Sequence, residues 1–83
     1  MTIVNRLGLH ARPAMAFVDA ASGFTCAVTV RRGDQEVDGK SIMHMMMLAA
    51  TKGTELEVAA TGSDAQAACA ALKKLVADGF DED

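Results

Sequence analysis

The segment Phe24-Thr25-Cys26-Ala27-Val28-Thr29-Val30 places an apolar side chain at every second position, and segments of helical period flank it on both sides. A period of two puts Phe24, Cys26, Val28 and Val30 on one face of a strand. Upstream, Ala14, Phe17, Val18 and Ala21 form one stripe of a helix over Ala11 to Ala21, which Ser22-Gly23 is expected to end with glycine in a left-handed conformation. Downstream, Ala65, Ala68, Cys69, Leu72 and Val76 form the stripe of a last helix, with Ser63 and Gln66 as its capping box. Further strands are expected at Thr2 to Asn5, at Gln35 to Asp38 after the polar turn Arg31-Arg32-Gly33-Asp34, and at Glu55 to Ala60 with Leu56, Val58 and Ala60 inward. A short helix from Ser41 to Ala49 follows Gly39-Lys40. The order is β-α-β-β-α-β-α. It predicts an α+β fold, an open-faced β-sandwich in which an antiparallel sheet carries helices on one face.

The 83 residues provide for one domain with one modest core, spanning residues 1–83. Three Phe and no Trp or Tyr leave that core to small and flexible side chains, so an enclosed pocket for a sizeable organic substrate is not expected. Chemistry belongs on the surface. A net charge of −3, scattered basic residues and the lack of stacking rings other than Phe argue against a nucleic-acid partner. No apolar run approaches the roughly 20 residues that span a bilayer, and Met1-Thr2-Ile3-Val4 lacks the basic start of a signal peptide, so a cytoplasmic protein without membrane insertion is expected. Cys26 and Cys69 form no CxxC pair and read as small buried hydrophobes, not as a disulfide or metal ligands. No cofactor or metal is expected. A monomer is expected.

The unusual segment is Leu7-Gly8-Leu9-His10-Ala11-Arg12-Pro13-Ala14. It sets a histidine where strand gives way to helix. A helix N-terminus offers unpaired N–H groups and partial positive charge to an attached anion. Pro13 is tolerated in a first turn, and Arg12 adds a fork of donors that match phosphate oxygens. A neutral imidazole, with an ordinary pKa of about 6.5, is a good nucleophile at neutral pH. His10 and Arg12 are thus candidate catalytic residues of a phosphoryl relay. A helix-capping histidine beside a solvated arginine accounts for the same residues without chemistry. No Mg²⁺-binding carboxylate pair or phosphate loop accompanies them, so a donor protein has to supply the remaining machinery.

Gly8-Leu9-His10-Ala11-Arg12-Pro13-Ala14 resembles the active-site signature of the histidine-containing phosphocarrier (HPr) family of the bacterial phosphoenolpyruvate-dependent phosphotransferase system. Gly39-Lys40-Ser41-Ile42-Met43 resembles the family's second signature, and Lys52-Gly53-Thr54 with the following strand fits as well. The resemblance implies a four-stranded sheet of order 1-4-2-3. It also implies that enzyme I phosphorylates His10 on Nδ1, that the group passes to a histidine of an enzyme IIA protein, and that Arg12 assists. Such a protein is a carrier and not an enzyme. Ser41 would be the regulatory target of a serine kinase/phosphorylase. The ending Gly79-Phe80-Asp81-Glu82-Asp83 is similar to the nitrogen-regulatory branch of the family rather than the sugar branch.

His44 departs from the family pattern, which has a small or apolar residue there, and an exposed or partly packed helix residue is the expected reading. Four methionines, Met43, Met45, Met46 and Met47, crowd the short helix and cannot all face inward. Met46 and Met47 are expected to fill gaps in the core and Met43 to remain outside; Ile42, Met43 and Met46 are the candidate partner-binding set. Two other function classes compete with the carrier. One is a regulatory binding module acting through Ser41 and the Met-rich helix, against which the presence of both His10 and Arg12 argues. The other is a small metabolite or metal binder, for which no ligand spacing is present.

Overall fold

The computed structural model describes residues 1–4, 11–48 and 51–81. Three α-helices and three strands alternate along it: α1 (Ala11–Ser22), β1 (Ala27–Arg32), β2 (Gln35–Asp38), α2 (Ile42–Met47), β3 (Glu57–Thr61) and α3 (Ala65–Ala77), followed by a 3₁₀ turn at Gly79–Asp81. The sheet is antiparallel with order β2-β1-β3. The α+β class and the antiparallel sheet match expectation. Among the described residues, however, there are three strands and not four.

The N-terminal segment supplies the difference. It meets the sheet through one bridge, Thr2 opposite Glu55. Its backbone bonds run from Ile3 N–H to the Thr54 carbonyl (2.9 Å), from Gly53 N–H to Ile3 (2.7 Å) and from Leu56 N–H to Met1 (2.6 Å), while the Met1 amino group donates to the Leu56 carbonyl (2.6 Å) and Thr2 Oγ1 to Glu55 Oε1 (2.9 Å). The partners of Ile3 lie at the turn before β3, so among the described residues no regular ladder forms. Ile3 is nevertheless fully buried.

β1 begins at Ala27, three residues later than the alternation suggested. Thr25 and Cys26 give their N–H groups to the Asp64 carboxylate (2.8 and 2.9 Å) and not to a neighbouring strand. The strand then runs through Arg31 and Arg32, leaving Gly33-Asp34 as a two-residue turn with Arg32 opposite Gln35. Gly33 has φ +58°, the left-handed value a type II′ hairpin requires at its first central position. Asp64 also corrects the start of the last helix. It, not Ser63, is the N-cap residue of α3, and its carboxylate caps nothing in the helix because it is committed to Thr25 and Cys26, just ahead of β1. Gly23 follows α1 without a left-handed φ.

One core gathers between the sheet and the helices. Val28, Val30 and Val37 come from the sheet, Ala14, Phe17 and Ala21 from α1, Met45 and Leu48 from the α2 region, and Ala68, Leu72 and Val76 from α3. Phe80 completes it from a left-handed backbone (φ 57°), a conformation costing a bulky residue about 1–3 kcal/mol that burial of its ring offsets. The other sheet face presents Ala27, Arg31, Glu57, Ala59 and Thr61 to solvent, with Arg31 and Glu57 paired across the strands. Both cysteines are free, Cys26 buried and Cys69 half-buried. Among the described residues no helix is long and apolar enough to cross a membrane.

Candidate functional site

His10 lies outside the described residues, immediately before Ala11, the first residue of α1. The helix it precedes is oriented by its apolar side. Pro13, Ala14, Phe17 and Ala21 are buried, which turns Arg12, Met15 and Asp19 outward. Arg12 is therefore an exposed first-turn cation, and no acidic side chain occupies that turn to neutralise the helix terminus. Pro13 sits deep in the structure without cost in hydrogen bonding, since a first-turn N–H has no intrahelical acceptor.

α1 packs against α2, the helix that carries the second signature. Ser41 is the N-cap of α2, half-buried and extended (φ −112°, ψ 117°), with Oγ accepting from the His44 N–H at 3.3 Å. Its seat is built by its neighbours. Ser41 N–H donates to the Asp38 carbonyl (3.1 Å), Lys40 N–H donates to Asp38 Oδ1 (2.9 Å), and Lys40 Nζ reaches the Phe24 carbonyl (2.7 Å). Gly39 allows the chain to run against β1: its N–H donates to Val28 (2.8 Å), and a Cβ there would lie 2.6 Å from Val28 Cγ1.

The far end of α2 is held by the β1–β2 hairpin. Arg32 Nη1 donates to the Leu48 carbonyl (2.7 Å) and Gln35 Nε2 to that of Met47 (3.3 Å), meeting carbonyls that a helix end leaves unpaired. His44 is exposed, and its Nδ1 accepts from the Asp38 N–H (3.3 Å), which places the ring proton on Nε2 in this pose. The ring thereby covers an outward N–H of the edge strand β2. Its relation to Ser41 runs through the backbone N–H, not the ring.

The partner-binding candidates divide. Met43 is 73 % exposed, as expected. Ile42 is half-buried and lines an open apolar hollow with Met15, Val18 and Asp19. Met46 and Met47, expected in the core, are 46 % and 63 % exposed. Met45 and Leu48, three residues apart on the helical period, take the inward positions instead. Met46 thus keeps only its place in the contact set. Met15, 55 % exposed and one turn beyond Arg12, was not singled out in the sequence, although its i+3 spacing from Arg12 already put it on the same face.

Away from this surface, Asp64 accepts from Thr25 N–H, Thr25 Oγ1 and Cys26 N–H. These donors, the Thr25 N–H foremost, hold its carboxyl below the usual aspartate value. Burial, with the Asp64 carboxylate second, pushes the Cys26 thiol up. Among the described residues no cluster of His, Cys, Asp and Glu could hold a metal ion.

Comparison with known proteins accords with this arrangement. Residues 1–78 match the family model described as the PTS HPr component phosphorylation site. The phosphocarrier protein HPr of Pseudomonas putida is 51 % identical over 83 residues, covering 99 % of this chain and 92 % of that protein. The phosphocarrier protein NPr of Escherichia coli K12 is 42 % identical over 82 residues, covering 98 % and 91 %. The crystal structure of HPr-C-His from Thermoanaerobacter tengcongensis superposes with a TM-score of 0.96 at 38 % identity, covering 100 % of this chain and 93 % of that one. Both named relatives are carriers of a phosphoryl group and not catalysts. The chain belongs to the HPr family of phosphocarrier proteins of the phosphotransferase system.

Proposed function

We propose that His10 accepts a phosphoryl group from enzyme I of the phosphoenolpyruvate-dependent phosphotransferase system and passes it to a histidine of an enzyme IIA protein. The observation that carries this reading is a family match over residues 1–78 that contains the phosphorylation-site signature Gly8 to Ala14. His10 directly precedes α1, whose first-turn N–H groups lack intrahelical partners and whose Arg12 is exposed. In the transfer, the neutral Nδ1 of His10 attacks phosphorus while the bond from phosphorus to the donor group of enzyme I breaks. The electron pair of that bond returns to the donor group. Arg12 and the helix amides stabilise the charge on the phosphoryl oxygens. The second transfer to enzyme IIA repeats this exchange in the other direction.

Ile42, Met43 and Met46 form the contact surface for both partners, joined by Met15 across the hollow between α1 and α2. Ser41 is a regulatory phosphorylation site for a serine kinase/phosphorylase, and the domain works as a cytoplasmic monomer. In sheet order, the N-terminal segment takes the edge beside β3 that the order 1-4-2-3 assigns to a first strand. Of the two branches of the family, the nitrogen-regulatory one is the reading that the ending Gly79-Phe80-Asp81-Glu82-Asp83 supports.

The test is incubation with enzyme I and labelled phosphoenolpyruvate. Stoichiometric label that is acid-labile and base-stable, absent from His10→Ala, is the expected result. Label persisting at the wild-type level in His10→Ala overturns the assignment.

A further inference from the structure

The sulfur atoms of this chain are unevenly exposed. Cys26 is 2 % accessible, and its raised thiol pKa leaves little thiolate for oxidants to attack. Cys69 is half-buried on α3, and Met45 is fully buried. Met15, Met43, Met46 and Met47 are all open to solvent. These four lie on α1 and α2, two helices in contact, and Met15 stands one turn beyond Arg12. The most accessible oxidisable sulfur is therefore concentrated on the pair of helices that carries both signatures.

We propose that the exposed thioethers of Met15, Met43, Met46 and Met47 are a peroxide-modified site that reversibly converts this apolar surface into a polar one. In each step a thioether sulfur attacks one oxygen of hydrogen peroxide and the O–O bond breaks. Sulfur is oxidised to the sulfoxide, and the departing hydroxide takes a proton to leave as water. A thiol-dependent methionine sulfoxide reductase reverses the change, the oxygen leaving as water while two thiols become a disulfide. A sulfoxide is polar where the thioether was not, so a partner that buries it must strip water from it. His10 and Arg12 contain no sulfur and are chemically untouched. The consequence is lost docking with intact transfer chemistry, and that consequence rests on the phosphocarrier reading.

The test treats the full chain with hydrogen peroxide, verifies the fold by circular dichroism, and maps sulfoxides by peptide mass spectrometry. Met43 and Met47 are expected to oxidise first and Met45 last. With enzyme I, the treated carrier should show KM raised by roughly an order of magnitude with kcat held, and the reductase should restore KM. A variant with all four exposed methionines changed to Leu is compared only with itself, treated against untreated, and the two should agree. Oxidation of Met45 as fast as Met43 overturns the proposal. So does a KM unmoved by oxidation, or a Leu variant slowed by peroxide as much as the original chain. If the untreated protein takes no label from enzyme I, the phosphocarrier reading fails, and the order of oxidation still decides whether the site exists.

Discussion

Gly39→Ala tests whether close approach of the β2–α2 connection to β1 is what seats Ser41. The added Cβ would lie 2.6 Å from Val28 Cγ1 and 3.3 Å from both Val28 Cβ and the Val28 carbonyl oxygen. The chain cannot slide away cheaply, because Gly39 N–H donates to that same carbonyl at 2.8 Å. Val28 cannot yield either, being 2 % exposed in the middle of the core. Forcing one methyl into such packing costs about 1–3 kcal/mol. In a domain of this size each kcal/mol lowers Tm by roughly 4–8 °C. Val28→Ala alone removes buried methyls and costs roughly 1–3 kcal/mol. In the double variant Cγ1 is gone, and the new methyl faces only the 3.3 Å neighbours. The combined loss should then fall short of the sum by about 1 kcal/mol. Urea denaturation of the four proteins at a common m-value measures this directly. Losses that add to within about 0.5 kcal/mol, or a Gly39→Ala variant as stable as the parent, would refute the steric argument.

Arg12→Ala should slow phosphoryl acceptance roughly 10- to 1000-fold while circular dichroism is unchanged, because the exposed guanidinium acts on charge and not on packing; unchanged transfer kinetics would place Arg12 on the solvated surface. Ser41→Asp should weaken acceptance from enzyme I relative to Ser41→Ala while the domain stays folded, since a carboxylate at the α2 N-cap suits the helix but confronts the docking partner; equal KM values in the two variants would remove Ser41 from regulation. Asp64 has a folded pKa below its unfolded value of 3.8, so its contribution is present above that value and lost as pH falls through the folded one. The stability gap between the parent chain and Asp64→Asn should thus be widest at neutral pH and close in acid, as read by urea midpoints across that range.

Much of this arrangement was legible in the sequence because it follows from period. The stripes of α1 and α3 and the inward faces of Val28, Val30 and Leu56 are fixed by which residues are apolar and how they are spaced. Ser41 was readable as the start of the short helix, because a short polar side chain preceded a run of helix-forming methionines; the structure makes it the N-cap, one residue outside α2. Asp64 was not readable. Its partners Thr25 and Cys26 lie 39 and 38 residues away, and nothing local distinguishes a carboxylate that caps its own helix from one that ends a distant strand's loop. The methionines failed for a related reason. Four similar apolar side chains in five positions carry no pattern, so the contacts of α1 and β2 decide that Met45 turns inward and Met46 and Met47 do not. The N-terminal segment was expected as a strand from Thr2, but its irregular pairing was not readable, since bonds from Ile3 to the turn at Gly53 and Thr54 stand in place of a ladder.

The six residues of α2 are too few for a helix to persist in water by its own propensity, where isolated helices shorter than about 12–15 residues are marginal. Its ends are fastened instead to the hairpin, by Asp38 and Lys40 at the start and by Arg32 and Gln35 at the finish. Helix and hairpin are therefore one cooperative unit, and neither can open without stranding the other's polar groups. Amide exchange should report a single opening free energy for α2 and β2. A ligand that grips α2 would then raise protection along β2 as well, on the far side of the contact it makes.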